Sequence, residues 1–386
     1  MTGMAFQSKE KETEIIPRYN PIITTILAFA FTFALSLFIW WLFIDPEGEF
    51  FIWRTFRLYE EASTDLVLNY IFIFILSMIL YLQFIDPEME FKEFLKTKIK
   101  ITDKETGLAL LILNIAIMFV IIAYITLVWG EINSLFNRVK DTSLFFISST
   151  GIFIYLLWSF FWGHWPLNEL NKYKIRVLEF IWCTFLLVLT YAWFVLPAQI
   201  ANGGFKQVIS LNAFIGYLYS VLAVTLLLGI LWENWPIERI KNQPYQGVLA
   251  SLICLIGGYV FYAILALAST QSWFLWENPG GDWYLRNAAN FSIFAASWVY
   301  FWTFYCGNWP HEYDKRFNIF MRTLLVFILA LLSYYVYYIY LGGIILNESD
   351  HFYNKIPFMF QGLWLVILMV YDKFFERIGL WKKLLG

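Results

Sequence analysis

Uninterrupted apolar runs of about twenty residues or more recur along this chain from Pro21 almost to its C-terminus. A helix of that length covers the roughly 30 Å of hydrocarbon in a bilayer. Inside lipid every backbone N–H and C=O must find its partner within the chain, which leaves helices as the economical way for such runs to cross. Composition agrees, with 60% hydrophobic, 22% aromatic and 15% charged residues, where a soluble domain carries about 25% charge. The fold class expected is therefore all-α, a polytopic transmembrane helical bundle.

Runs of sufficient length predict ten spans, near 21–45, 66–86, 107–130, 144–165, 176–197, 211–233, 247–269, 288–308, 321–346 and 357–373. They make one transmembrane domain, 21–373, between a polar tail (1–20) and a short basic tail (374–386). Lys and Arg collect on the cytoplasmic side of membrane proteins because translocating them is costly. With ten spans, 20 of the 27 basic residues fall on the side that holds both termini. Both ends are thus expected in the cytoplasm, and the chain in the cell membrane. The first apolar run lacks a small-residue cleavage site, so it reads as a retained span. A net charge of −2 without a dense basic cluster argues against nucleic acid as a partner. Membrane lipids, partner membrane subunits or a second copy of the chain are the partners expected.

Three even-numbered spans end alike, in Gly163-His164-Trp165-Pro166, Glu233-Asn234-Trp235-Pro236 and Gly307-Asn308-Trp309-Pro310. With 19 Trp and 11 Pro in 386 residues, chance supplies about half a Trp-Pro pair. The prolines lie 70 and 74 residues apart, and each is followed within three residues by a glutamate, Glu169, Glu238 or Glu312. Span two ends in a weaker version, Asp86-Pro87-Glu88. The last ends in Phe374-Phe375-Glu376-Arg377-Ile378, which echoes Pro236-Ile237-Glu238-Arg239-Ile240. Five two-helix hairpins of about 70 residues are the simplest reading. Proline disfavours helix in the residue before it and Trp prefers the headgroup layer, so the motif reads as a helix stop and anchor at Trp. The neighbouring Gly and Asn can relax or satisfy the last carbonyls. Hairpins of one orientation stack or ring more naturally than they rock, since rocking carriers usually pair inverted repeats.

No carboxylate or histidine is expected near mid-span; Asp45, Asp86, Glu179, Glu233 and Asp372 stand at span ends within reach of water. Cys183, Cys254 and Cys306 lie in apolar runs without metal or redox spacing and read as small core residues. If two exits faced each other, His164, His311, Glu312 and Glu233 could converge as mixed metal ligands, but the paired-histidine spacings usual for metal and haem are missing. No cofactor is identifiable. Tyr334, Tyr335, Tyr337, Tyr338 and Tyr340 surround most of one span and could line a cavity or pack against neighbours. Aromatic outer loops at 49–60 and 272–284 could anchor at the interface or cap the bundle.

Nucleophile and phosphate signatures are also absent, so no catalytic residue is assigned. A repeat-built, non-catalytic scaffold or accessory subunit, holding lipid or a hydrophobic cofactor, is the leading expectation. A permease or channel for an uncharged or weakly polar solute is the alternative. A lipid-modifying enzyme built on the cytoplasmic carboxylates is the third.

Overall fold

A computed structural model describes residues 15–17, 20–43, 63–87, 89–135, 143–167, 170–195, 210–270, 283–346 and 357–383. It is all-α, with eleven α-helices among the described residues. They are α1 (Pro21–Phe43), α2 (Ser63–Leu80), α3 (Glu90–Phe94), α4 (Asp103–Leu135), α5 (Ser143–Phe161), α6 (Lys172–Thr190), α7 (Leu211–Leu226), α8 (Tyr245–Ser269), α9 (Trp283–Tyr305), α10 (Lys315–Val336) and α11 (Pro357–Lys373). Five helices run on into π-helical turns, among them α2 (Tyr81–Ile85), α7 (Leu227–Leu231) and α10 (Tyr337–Ile345).

The packing order is cyclic. Helix α2 packs on α5, α5 on α7, α7 on α9, α9 on α11, and α11 back on α2, which closes an inner ring of five. An outer helix covers each: α4 on α2, α6 on α5, α8 on α7, α10 on α9 and α1 on α11. Sequence pattern explains which helix goes where. Every residue of α9 from Asn287 to Phe301 is buried, as suits a helix surrounded by protein. On α1 the fully buried positions are Thr24, Ala28, Thr32, Ser36 and Trp40, one stripe at a spacing of four, and on α10 the buried positions are Asn318, Ile319, Arg322, Val326, Ala330 and Tyr334. The faces turned away carry exposed Ile22, Phe119, Leu127, Tyr259, Leu267 and Leu332. Apolar surface left open on this scale marks contact with lipid or another apolar partner. Small residues set the closest approaches: a Cβ on Gly216 would lie 2.1 Å from the Leu285 carbonyl oxygen, so α7 and α9 touch there only because Gly216 has none.

Among the described residues, six helical runs are long and apolar enough to cross a membrane: Pro21–Leu42, Asp103–Leu127, Lys172–Trp193, Asn212–Leu231, Tyr245–Ser269 and Lys315–Ile345. A seventh is counted if Asn69–Ile85 and Glu90–Ile99, which meet at an 81° bend, are one broken span. The expected spans that do not meet the measure lie on α2, α5, α9 and α11, all in the inner ring. Neighbouring helices cover them, and polar residues such as Asn287 and Asn290 are buried among protein there.

Segments from the two expected tails pair with each other. Ile15–Pro17 (β1) and Trp381–Lys383 (β2) form an antiparallel pair in the register Ile15 to Lys383 and Pro17 to Trp381. Phe374 and Trp381 are buried in the main core. Apolar side chains within the basic segment thus dock it, and the pairing ties the start of α1 to the end of α11.

Candidate functional site

Chemistry-bearing residues gather where the inner helices end. Four exits share one backbone device, two consecutive residues in the left-handed region: Gly163-His164, Glu233-Asn234, Gly307-Asn308 and Glu376-Arg377. In each, the N–H after the pair donates to the carbonyl before it: Trp165 to Trp162, Trp235 to Trp232, Trp309 to Cys306 and Ile378 to Phe375. In three, the second left-handed N–H also reaches back six residues, from Asn234 to Leu228, Asn308 to Trp302 and Arg377 to Tyr371. These bonds satisfy carbonyls that the helix end would leave open. The bonds Trp165-Pro166, Trp235-Pro236 and Trp309-Pro310 are cis.

This geometry corrects the expected stop. The α-helical or π-helical run ends at Phe161, Leu231 and Tyr305, ahead of the Trp, because the left-handed pair reverses the chain before Trp-Pro is reached. The last exit is also re-registered. Glu376-Arg377 matches Glu233-Asn234 in conformation, and not Glu238-Arg239, whose likeness is one of sequence only.

Glu179 and Arg322 are among the charged side chains sealed in protein next to these turns; Glu179, like Asp86 and Asp372, is buried, contrary to the expectation that it reaches water. Glu179, on α6, is 3% exposed. Its Oε1 accepts from Trp158 Nε1 at 3.2 Å and pairs with His164 Nδ1 at 2.9 Å. The carboxylate has no donor of its own, so the imidazole supplies the proton. That hydrogen bond raises the His164 pKa above its ordinary value, against a smaller opposing effect of burial. The apolar run around Glu179 hid its pairing, since the partners come from α5 and its exit.

Arg322, on α10, is 4% exposed and makes more contacts. It donates to the Pro310 carbonyl from Nε at 3.2 Å and Nη2 at 2.9 Å, and to Glu233 Oε1 from Nη1 at 2.9 Å. Its Nη2 also lies 2.9 Å from His311 Nδ1, which must accept because a guanidinium only donates. Glu233 accepts from Asn308 Nδ2 as well, at 3.2 Å. One arginine therefore joins the exits of α7 and α9.

The proposed metal set is thereby divided. His164 belongs to Glu179, whereas His311 and Glu233 share Arg322; Glu312 lies exposed beyond them. Among the described residues no three His, Cys, Asp or Glu side chains gather as a cation site. Glu169 lies outside the described residues, as do Glu88 and most of both aromatic loops. Trp309 is 53% exposed, while Trp165 and Trp235 are half-buried. Of the tyrosines, Tyr334, Tyr337 and Tyr338 are buried and face α9: Tyr334 donates to Asn287 Oδ1 at 2.9 Å, and Asn290 donates to Tyr338 at 3.1 Å. Tyr335 is half-buried and Tyr340 is 58% exposed, so the five share no common lining.

Several acids at this end are paired across elements. Glu90 takes Lys172 of α6 at 2.8 Å and Glu238 takes Lys315 of α10 at 2.5 Å. Glu376 takes Lys92 and Lys96, and Lys96 also holds Asp103 of α4. Hydroxyls and indoles extend the pattern: Trp162 Nε1 donates to Ser251 of α8, Trp232 Nε1 to Thr323 of α10, and Thr25 of α1 to the Tyr305 carbonyl. The exits of α5, α7 and α9 are thus held by early turns of an outer helix, and that of α11 by the segment leading into α4. Asp372 is buried and paired with Lys373 and Arg377, and it accepts from Tyr300 at 3.1 Å.

Closed layers of apolar helices with paired charges at their ends define a multi-pass helical membrane protein. No protein-family model matches the chain, no curated protein matches it, and no solved structure matches it.

Proposed function

We propose that the chain is a ten-span protein of five two-helix hairpins closed into a ring, with both termini cytoplasmic in the cell membrane, and that it serves as a non-catalytic scaffold. Each hairpin would give one outer and one inner helix. The order of helix contacts supports this reading, because every outer helix rests on the inner helix of the preceding hairpin, and α1 rests on α11 to complete the cycle. The exit contacts advance in a constant step: α2 to α6, α5 to α8, α7 to α10, α9 to α1 and α11 to the approach of α4. An internal repeat gives the economical account of four matching turns.

The observation that carries a static role is closure. A ring pinned by the paired tails has no two halves free to rock, as an alternating-access carrier requires. Four aromatic rings, Phe72, Phe145, Tyr219 and Phe358, meet between α2, α5, α7 and α11 at centroid distances of 4.6 to 6.4 Å, which speaks against an open channel. The ion pairs of Glu90, Glu233, Glu238 and Glu376 speak against these carboxylates as a general acid or base at the rim. The lipid-facing aromatic and aliphatic surface of the outer helices would carry the function by holding lipid, a hydrophobic cofactor, a membrane subunit or a second copy.

Purification in a mild detergent followed by native mass spectrometry tests this. The scaffold reading expects lipid, a pigment or a second polypeptide to stay bound. Recovery as a bare, monodisperse single chain would count against it. For the ring, cysteines at Ile16 and Lys382, partners in the strand pair, are expected to cross-link within one chain.

A further inference from the structure

Phe145 of α5 and Phe358 of α11 stand on inner helices that are not ring neighbours, yet their rings are 6.3 Å apart. They can meet only across the middle, so these residues mark the axial face of their helices. Fourteen residues on from Phe145 is Ser159, and fourteen on from Phe358 is Asp372. Eleven on from Phe72, which meets both rings, is Gln83. At 3.6 residues per turn these intervals return a side chain to within about 40° of its starting direction. Gln83, Ser159 and Asp372 therefore share the axis, near the exits. On α9 the same level holds Tyr300, bonded to Asp372, and Thr303 one turn beyond it.

Most of this layer is unsatisfied by the protein. Gln83 is 7% exposed, and both its amide oxygen and its amide nitrogen are buried without a hydrogen-bond partner. The hydroxyls of Ser159 and Thr303 are buried and unpartnered too. A buried polar atom left unpaired is costly, and a side-chain amide asks for a donor and an acceptor together. Asp372 brings no free charge, because Lys373 and Arg377 neutralise it. Above the layer the same helical faces become apolar, with Leu156 and Leu365, and then reach the aromatic cluster.

We infer that this axial layer is a binding site for a small uncharged solute with both a hydrogen-bond donor and an acceptor, of the primary amide class, entering from the exit side. The aromatic cluster closes the far side, so the solute binds without passing through. This inference rests on the ring reading and names a ligand for its interior, whereas the outer faces hold apolar partners.

The test uses the full chain with Cys183, Cys254 and Cys306 replaced by alanine and a single Ser159→Cys. A charged, membrane-impermeant thiol reagent is applied to the exit face of oriented vesicles, with acetamide as the probe. Ser159→Cys is expected to react at least about tenfold faster than Leu156→Cys, and acetamide is expected to slow that reaction about fivefold or more. Acetone, of similar size but without an N–H donor, should slow it less than about twofold. Gln83→Leu should abolish protection by acetamide, and the acetone comparison stands if that variant fails to fold. No labelling of Ser159→Cys overturns the inference, and so does labelling that acetamide leaves unchanged, which would mean water only. The cross-link between positions 16 and 382 is a separate readout: its failure condemns the ring, while its success with unprotected labelling condemns the site alone.

Discussion

Glu179 and Arg322 occupy the same position on two helices and carry opposite charge. Each stands eight residues after an N-cap, Asn171 for α6 and Asp314 for α10, whose side chains accept from Tyr173 N and Arg316 N. Each is almost wholly buried and turns to a histidine of the exit just before its own helix. The histidines then play opposite parts, His164 donating to the acid and His311 accepting from the base. The partner sets also differ in size. Glu179 gathers an indole and an imidazole; Arg322 gathers a carbonyl twice, a carboxylate and an imidazole, and joins two exits. If the number of protein partners decides what a buried polar group is worth, the Arg322 site holds the ring together more firmly than the Glu179 site.

The largest expected effect follows from that. Arg322→Ala should lower stability by about 4 kcal/mol, since it opens a cavity, strands the Pro310 carbonyl and leaves Glu233 with Asn308 alone. Thermal unfolding in detergent measures it, and a midpoint unchanged within error would remove Arg322 from the argument. Glu179→Ala should cost about half as much, near 2 kcal/mol, by leaving the Trp158 N–H and His164 without an acceptor. Equal losses at the two positions would break the comparison.

Protonation sharpens it next. Because the hydrogen bond to Glu179 raises the pKa of His164 in the fold, the protonated imidazole stabilises the protein fully below its unfolded pKa, about 6.5. That contribution is lost as pH rises through the higher folded value. His164 is about half exposed, so the change should be small and weaken with salt. Unfolding midpoints measured between pH 5.5 and 8.5 should fall slightly across this window, and His164→Asn should flatten the curve. A midpoint that rises with pH would contradict the assignment of donor and acceptor.

How much of this lay open to reading from the sequence depends on the length scale of each feature. Helices, lipid and the special character of the Trp-Pro exits are local, and apolar runs and repeated tetrapeptides report them. The left-handed pairs were half visible, since Gly163, Gly307, Asn234 and Asn308 suit that conformation. His164, Glu233, Glu376 and Arg377 gave no such hint. Partners of Glu179 and Arg322 come from other helices and their exits, 11 to 89 residues away, and no periodicity encodes them. The two-strand pair was hidden for the same reason, with its halves at opposite ends of the sequence. Gln83 stands in the sequence as a polar residue within an apolar run, but its axial direction follows only from the ring.

The smallest prediction asks whether the partner rule holds without charge. Tyr334 and Tyr340 lie on the same stretch, α10 and its π-helical extension, six residues apart, yet Tyr334 is 1% exposed and donates to Asn287 Oδ1, while Tyr340 is 58% exposed. Asn287 in turn donates to Ser269 at 2.8 Å, so the Tyr334 hydroxyl is one link in a chain from α10 through α9 to α8. Removing it leaves an amide oxygen short of a donor in a place where water would have to replace it. Tyr334→Phe should therefore cost about 1 kcal/mol, and Tyr340→Phe less than about 0.3 kcal/mol. The difference is read from paired unfolding midpoints in the same detergent. If Tyr340→Phe proves the more damaging, polar groups on the outward face are engaged by something beyond this chain, and counting partners within the ring would no longer rank the sites.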